Sequence, residues 1–144
     1  MDRDLFPGTW RLVSAEYRSD NGEIFYLLGR DAAGQLMYDG RGYMSAQLLD
    51  VDRPSFASDD WLGGTPEEIK AAFEGHRAYF GTYDVDEDQR TVTHHVVGSS
   101  FPNWIGRDNV RHYAFAGNRL TLRTSPMLMG GRKVAGALVW ERRS

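Results

Sequence analysis

Alternating apolar and polar residues, the pattern of a half-buried β-strand, run through most of this chain. The first two such segments, GTWRLVSAEYRS (8–19) and EIFYLL (23–28), flank the turn DNG and read as a hairpin. Residues 34–50 form a second hairpin around DGRG. The alternation returns later in five segments: 77–86, 91–99, 109–117, 119–125 and 133–143. The pattern therefore predicts about nine strands joined by short, turn-like links.

Midway along the chain, from about residue 52 to residue 76, the alternation stops and helix signals replace it. Thr65 can cap a helix that begins at Pro66, and Glu68 completes a capping box. Gly75 provides a C-terminal stop. We expect one short helix, inserted between the fourth and fifth strands.

The predicted architecture is an all-β, antiparallel, up-and-down barrel. Consecutive hairpins require antiparallel pairing, and a sheet of eight to ten strands avoids exposed edges by closing on itself. The helical insertion would then form a lid at one end. We expect residues 1–144 to form a single domain, as the length suggests.

Two adjacent histidines, His94 and His95, lie in the strand 91–99 and must point to opposite faces of the sheet. Val92 and Val96 share the face of His94, so His94 is predicted to point inward and His95 outward. The same test assigns further residues to the interior: Met44, Tyr79, Tyr83, Arg111 and Tyr113. A buried arginine keeps its charge, so Arg111 needs an anionic partner, a tyrosine hydroxyl, water or a ligand.

Composition and charge exclude several classes of function. The chain has no cysteine, which removes disulfides, thiolate metal sites and a cysteine nucleophile. A net charge of −3, without a basic cluster, gives no reason to bind nucleic acid or an anionic membrane. The amino terminus is charged and resembles no signal peptide, and no apolar run reaches membrane-spanning length. We expect a cytoplasmic protein that is a monomer or a small homo-oligomer.

A metal site or a cofactor is not expected. The four histidines are His76, His94, His95 and His112, and none of them pair at ligand spacing on one face. No phosphate-binding glycine loop appears, because MGGR (129–132) is short and precedes a strand.

A small barrel has room for one small ligand, and an apolar cavity with a few polar groups is the usual form of such a site. Trp104, in the loop 99–106, could cap the cavity mouth, and Trp61 with the helix could form the lid. The candidate ligand-binding residues are Met44, Trp61, Tyr79, Tyr83, His94, Trp104, Arg111 and Tyr113. Four of them have a structural alternative: His94 as a satisfied core histidine, Arg111 in an internal ion pair or facing outward on a misread strand, Trp104 pinning its loop, and Trp61 in an insertion that merely plugs the open end.

Several stretches resemble a known family: GTWRLVS, GQLMYDGRGYMSAQL, YFGTYDVD, TVTHHVVGSSFPNWIG, VRHYAFAGNRLTLRT and ALVWER. They look like the bacterial and fungal lipocalin-like domain family, of calycin type, over roughly residues 8 to 142. In calycins an early tryptophan closes one end of the barrel, and a late basic side chain packs across it. The resemblance implies that Trp10 and either Arg142 or Arg143 are structural, and that the barrel holds a small-molecule cavity.

Three hypotheses of function remain open from the sequence. The first is a protein that binds a small, largely apolar metabolite in the barrel. The second is a cofactor-independent enzyme, such as a cyclase or isomerase, with His94, Arg111 or Tyr113 moving protons or stabilising an oxyanion. The third is a barrel filled by side chains that serves as a protein-interaction module.

Overall fold

The computed structural model describes residues 1–143; Ser144, the last residue of the predicted domain, lies outside the described residues. The strands are β1 (Gly8–Ser19), β2 (Ile24–Phe25), β3 (Ala33–Tyr38), β4 (Tyr43–Leu49), β5 (His76–Asp86), β6 (Thr91–Ser99), β7 (Asp108–Ala116), β8 (Arg119–Thr124), β9 (Met127–Met129) and β10 (Arg132–Arg142). One helix, α1 (Pro66–Glu74), and two 3₁₀ turns, Asp2–Leu5 and Pro102–Trp104, complete the elements.

The strands form one antiparallel sheet that closes into a barrel. Their order is β2-β1-β3-β4-β5-β6-β7-β8-β10-β9, and β1 also pairs with β10. Eight strands therefore make the closed barrel, while β2 and β9 attach to it as short extra strands. The predicted up-and-down barrel is confirmed, because the eight barrel strands lie side by side in the order in which they follow one another along the chain.

Two details of the predicted hairpins were wrong. The segment 23–28 forms only the two-residue strand β2, which pairs with the carboxyl half of β1. The amino half of β1 pairs with β3 instead. The segment MLMGGR, expected to be a turn, contains β9, which pairs with the start of β10.

The helical insertion begins and ends as predicted. The Glu68 backbone N–H donates to Thr65 Oγ1 over 3.2 Å, and the Thr65 N–H donates to the Glu68 carboxylate over 2.9 Å. Gly75 is the C-cap residue. The helix buries none of its residues fully, and its apolar positions Ile69 and Phe73 are about half exposed. It therefore borders one end of the barrel without sealing it.

The opposite end of the barrel is closed by an aromatic cluster. Phe6 is fully buried, and the rings of Tyr38, Tyr113 and Phe115 surround it with centroids 5.0 to 5.2 Å away. The indole N–H of Trp10 donates to the Phe6 carbonyl over 3.0 Å. This packing fixes the amino-terminal segment across the barrel.

Arg142 completes this closed end, as the resemblance implied for it or its neighbour. Its guanidinium carbon lies 4.2 Å from the centre of the Trp10 ring. The same guanidinium donates hydrogen bonds to the backbone carbonyls of Leu5 and Pro7. Arg142 thus joins the last strand to the first turn, and Arg143 is exposed.

A β-bulge lies between β5 and β6 where Gly81 faces the partner strand. Phe80 pairs with Gly98 and Gly81 with Val96, so Val97 is an extra residue in β6. A Cβ atom at Gly81 would lie 1.9 Å from the His95 carbonyl oxygen, which no side chain permits. The close approach therefore requires glycine, and the bulge redirects β6 just before the loop that carries Trp104.

The inward and outward faces agree with the alternation in the sequence. His94 is 1% exposed, whereas the His95 side chain is partly exposed, which confirms the assignment of these two residues. Arg111 and Tyr113 are buried on β7. No helix in the described part of the chain is long and apolar enough to span a membrane.

Candidate binding site

The open end of the barrel contains a small buried cavity, named here the inner cavity. Its volume is about 30 Å³, roughly the share of one water molecule in the liquid. Side chains from eight strands and from the loop after β6 line it: Tyr17, Leu36, Ala46, Leu48, Arg77, Tyr79, Trp104, Arg111, Leu122, Thr124, Met127, Leu138 and Trp140. Side chains therefore fill most of the barrel interior.

A larger depression, the outer cleft, lies above the inner cavity and has a volume of about 650 Å³. Its walls come from the end of α1, the loop 99–107 and the β9 hairpin; they include Leu27, Phe73, Glu74, His76, Phe101, Arg107 and Leu128. Arg77, Trp104 and Met127 line both spaces. These three side chains form the boundary between the exposed cleft and the buried cavity.

Trp104 is held at this boundary by aromatic contacts. The 3₁₀ turn Pro102–Trp104 places its indole edge-on to Tyr79 with centroids 5.4 Å apart, and Phe101 lies 6.2 Å away on the other side. Trp104 is buried while Phe101 remains partly exposed. The loop therefore presents the Phe101 ring to the cleft and is anchored by the buried Trp104 ring.

Arg111 is a buried cation without an acidic partner in residues 1–143. It is 8% exposed, and its Nη1 donates to the Val110 carbonyl oxygen over a long 3.4 Å. Its guanidinium carbon lies 6.0 Å from the Trp104 ring centre. The ion pairs of the described chain all involve other cations. A buried charge in this condition is costly unless something compensates it.

Arg77 is the second cation of the inner cavity and lies at the start of β5. Its Nη1 donates to the Tyr17 hydroxyl oxygen over 2.8 Å. No ion pair involves it within residues 1–143. The wall of the inner cavity thus carries two guanidinium groups and no carboxylate.

Two further residues of the same wall, Trp140 and Thr124, have hydrogen-bond donors without an acceptor. The indole Nε1 of Trp140 is buried and has no acceptor among the described residues. Thr124 Oγ1 accepts from the Gly136 N–H over 2.7 Å, which leaves its hydroxyl hydrogen free to donate. The cavity wall is therefore rich in donors and poor in acceptors.

His94 lies next to this wall but does not line it. Its Nδ1 is 2.8 Å from the Tyr79 hydroxyl and its Nε2 is 2.6 Å from the Tyr38 hydroxyl. Burial, with the nearby charge of Arg111, lowers the pKa of His94 to about 3, so the ring is neutral at ordinary pH. One nitrogen donates and the other accepts, which satisfies the buried imidazole.

Both tyrosines that bind His94 also stay protonated. Burial raises the pKa of Tyr38 well above its ordinary value, and burial raises the pKa of Tyr79 as well. The charge of Arg111 acts in the opposite direction on Tyr79. The hydroxyl of Tyr79 is consequently a neutral donor or acceptor at the cavity wall.

The structure brings together three of the residues predicted for ligand binding: Tyr79, Trp104 and Arg111. Met44 is a buried core residue outside both linings. The Tyr83 hydroxyl donates to the Asp39 carbonyl over 2.6 Å, away from the cleft. Trp61 is 94% exposed and borders neither space.

Tyr113 also lies apart from the inner cavity, although it is a neighbour of Arg111 in sequence. Its hydroxyl donates to the Asp2 carboxylate over 2.9 Å, next to Phe6 at the closed end. The combination of His94, Arg111 and Tyr113 considered for catalysis is therefore not gathered around one space. Among residues 1–143, no cluster of acidic or histidine side chains could hold a metal ion.

Sequence reasoning missed Arg77, although a signal for it was available. Arg77 precedes Tyr79 by two residues and so shares its inward face of β5. Tyr17, Thr124 and Met127 were also missed, because their place at the open end depends on how far each strand extends along the barrel.

The closed antiparallel barrel of eight strands, sealed at one end by aromatic side chains and open to a cleft at the other, is a lipocalin-like barrel. The chain belongs to the lipocalin-like domain family, whose model matches residues 7–143. It is similar to the 4′-hydroxy-3′-methoxypropiophenone carrier protein of Aspergillus oryzae. The two are 33% identical over 106 residues, which cover 69% of this chain and 96% of the relative.

Proposed function

We propose that this protein binds a small, largely apolar aromatic metabolite at the open end of the barrel. The observation that carries the proposal is the outer cleft of about 650 Å³, which shares Arg77, Trp104 and Met127 with the inner cavity. Its volume is within the range of small-molecule sites, and its walls combine aromatic and aliphatic side chains with polar and charged ones.

The sizes of the two spaces determine how such a ligand lies. The inner cavity, at about 30 Å³, admits one small polar group and no ring. An aromatic ring therefore occupies the outer cleft, where Phe73, Phe101 and Trp104 offer apolar contact. A substituent on that ring points past Trp104 toward Arg77 and Arg111.

The similar carrier protein of Aspergillus oryzae supports this class of ligand. The compound in its name is a hydroxyphenyl ketone, an aromatic ring with a phenol at one end and an acyl group at the other. A molecule of this shape has one apolar body and two polar ends, which matches a cleft with a donor-rich recess. Because fold alone does not fix function, the ligand itself is a matter for experiment.

Binding is favoured over catalysis by the position of the titratable groups. An acid–base role requires His94 within reach of the reacting group, yet tyrosines occupy both of its ring nitrogens and it lines neither space. Tyr113 lies at the closed end, bound to Asp2. The packed interior is the observation that favours the second candidate, a protein-interaction module.

We also propose a cytoplasmic location, supported by a chain without cysteine.

Calorimetric titration with 4′-hydroxy-3′-methoxypropiophenone tests the proposal. We expect saturable binding with one ligand per chain, and Trp104→Leu should weaken it about tenfold through the loss of aromatic contact. Trp61→Leu is the matched control, because Trp61 is a tryptophan outside both linings and should leave the affinity unchanged. Phe101→Ala, a partly exposed cleft residue, checks the result in a variant that perturbs the core little.

Two results would contradict the proposal. The first is the absence of binding by a folded protein, which would favour the interaction module. The second is equal weakening by Trp61→Leu and Trp104→Leu, which would place the ligand elsewhere. Thermal unfolding of each variant shows whether it is folded before its affinity is interpreted.

A further inference from the structure

We propose that the inner cavity is an oxyanion site, where Arg77 and Arg111 bind the anionic oxygen of an aromatic acid. The acid is a carboxylate or an ionised phenol attached to the ring that lies in the outer cleft. This inference rests on the proposed function and names the chemical class of its ligand.

Arg111 is a buried cation without an acidic partner in the described chain. An arginine that is only 8% exposed normally pairs with a carboxylate, because a lone buried charge is strongly disfavoured. In residues 1–143 it has no carboxylate partner: it donates a long hydrogen bond to the Val110 carbonyl and another to the Tyr79 hydroxyl oxygen. An anion in the adjacent cavity supplies the missing partner, through charge-assisted hydrogen bonds.

The wall of the inner cavity is rich in hydrogen-bond donors. Besides Arg77 and Arg111, it contains the unpartnered N–H of Trp140 and the hydroxyls of Tyr17 and Thr124. The Tyr17 oxygen accepts from Arg77 and the Thr124 oxygen accepts from Gly136, so both hydroxyl hydrogens are available. A wall of donors with no carboxylate fits an oxyanion and disfavours a cation or an ammonium group.

The size of the inner cavity also fits an oxyanion. The cavity volume of about 30 Å³ suits one or two oxygen atoms, not the ring that carries them. A carboxylate or phenolate oxygen reaches this depth while its ring stays above Trp104 in the cleft. The anionic oxygen thus leaves water only inside the inner cavity, where the hydrogen-bond donors of the wall replace the water molecules that hydrated it.

The experiment compares acids with neutral partners of nearly the same shape. The phenol arm pairs 4′-hydroxy-3′-methoxypropiophenone with its methyl ether, 3′,4′-dimethoxypropiophenone. It is measured at about pH 9, where the arginines keep their charge because the pH is below their ordinary pKa. The carboxylate arm pairs 4-methoxybenzoate with its methyl ester at about pH 7, where the acid is ionised. Calorimetry gives the four affinities for the wild-type protein and each variant.

We expect at least one acid to bind about 10- to 100-fold more tightly than its neutral partner, the range for hydrogen bonds to a charged group. Arg111→Met should reduce the affinity of that acid to the value of its neutral partner, and Arg77→Met should act in the same direction. Arg123→Met is the matched control: it removes the same charge from an exposed position on β8, and the preference for the acid should persist.

Stability provides a readout independent of any ligand. Replacing an unpaired buried cation by an apolar side chain of similar length should leave the free energy of unfolding unchanged or raise it. If Arg111 instead held the fold together through partners in the protein, Arg111→Met would clearly lower the midpoint of unfolding in denaturant. Loss of folding in Arg111→Met therefore argues against the oxyanion site.

The possible outcomes separate this inference from the proposed function. Equal binding of acid and neutral partner, unaffected by Arg111→Met, overturns the oxyanion site and leaves the binding function intact. The absence of binding by all four compounds contradicts both. A preference confined to the phenol arm or to the carboxylate arm supports the site and identifies which acid it takes.

Discussion

The Tyr79 hydroxyl and His94 Nδ1 are joined by a hydrogen bond of 2.8 Å at the boundary between the packed core and the inner cavity. Tyr79 lines the cavity, whereas His94 does not. The histidine thereby fixes the orientation of a phenol that faces the proposed ligand site. Its role is that of a buried, neutral support.

This arrangement predicts that acid destabilises the protein through His94. Its pKa is about 3 in the folded protein, mainly because of burial, and about 6.5 in the unfolded chain. Between these values the unfolded chain binds more protons, so stability falls as pH falls, by up to about 1.4 kcal/mol per pH unit. Urea unfolding between about pH 5 and 6.5, above the ordinary carboxyl range, measures this slope.

His94→Gln is the variant that tests the assignment of that slope. The pKa of His76 is also lowered by burial and contributes in the same sense, so some slope persists in the variant. We expect the slope of His94→Gln to be clearly shallower than that of the wild type. Parallel slopes would show that His94 is protonated in the folded protein or does not titrate in this range.

His95 predicts the opposite pH dependence from the outer surface of the same strand. Its ring nitrogens lie 2.7 Å from the carboxylates of Asp84 and Asp108, and these hydrogen bonds raise the pKa of His95. Its contribution to stability is complete below about pH 6.5 and disappears as pH rises through the higher folded pKa. The groups are exposed, so the effect should be below about 1 kcal/mol.

Asp108→Asn checks this second effect with unfolding curves from about pH 6.5 to 8.5. The variant should lose part of the decline in stability that the wild type shows over this range. His94 lowers the stability as pH falls below about 6.5, and His95 lowers it as pH rises above that value. The combined contribution of the two histidines to stability is therefore largest near pH 6.5. An unchanged decline in Asp108→Asn would contradict the role given to the ion pair.

Gly81→Ala should destabilise the protein by about 2 kcal/mol or more, through overpacking at the bulge. The added Cβ would lie 1.9 Å from the His95 carbonyl oxygen, between two backbone segments that cannot yield cheaply. Gly40→Ala is the control, since a Cβ there meets no described atom within 4 Å and should change stability by less than about 0.5 kcal/mol. Equal unfolding midpoints in denaturant for the two variants would contradict the close approach.

Arg142→Ala should cost about 2 kcal/mol of stability at the closed end of the barrel. The substitution removes the cation over Trp10 and the hydrogen bonds to the carbonyls of Leu5 and Pro7. Arg143→Ala removes the same charge from an exposed side chain and should change stability by less than about 0.5 kcal/mol. Thermal unfolding of the pair provides the comparison, and equal losses would contradict the role assigned to Arg142.

The sequence by itself determined the barrel, the helix and the direction of most side chains. Alternation has a period of two, so Val92 and Val96 were enough to point His94 inward. The helix was equally well defined, because Thr65, Glu68 and Gly75 act on backbone groups a few residues away. Such rules operate within one element and can be read along the chain.

Only the tertiary structure decided which inward residues share a space. Arg111 and Tyr113 lie on the same face of β7, yet one lines the inner cavity and the other binds Asp2 at the closed end. That difference depends on the height of each residue along the barrel, which strand register and the β5–β6 bulge establish. Alternation gives the face of a residue but not its height, and contacts between distant strands determine where the donors meet.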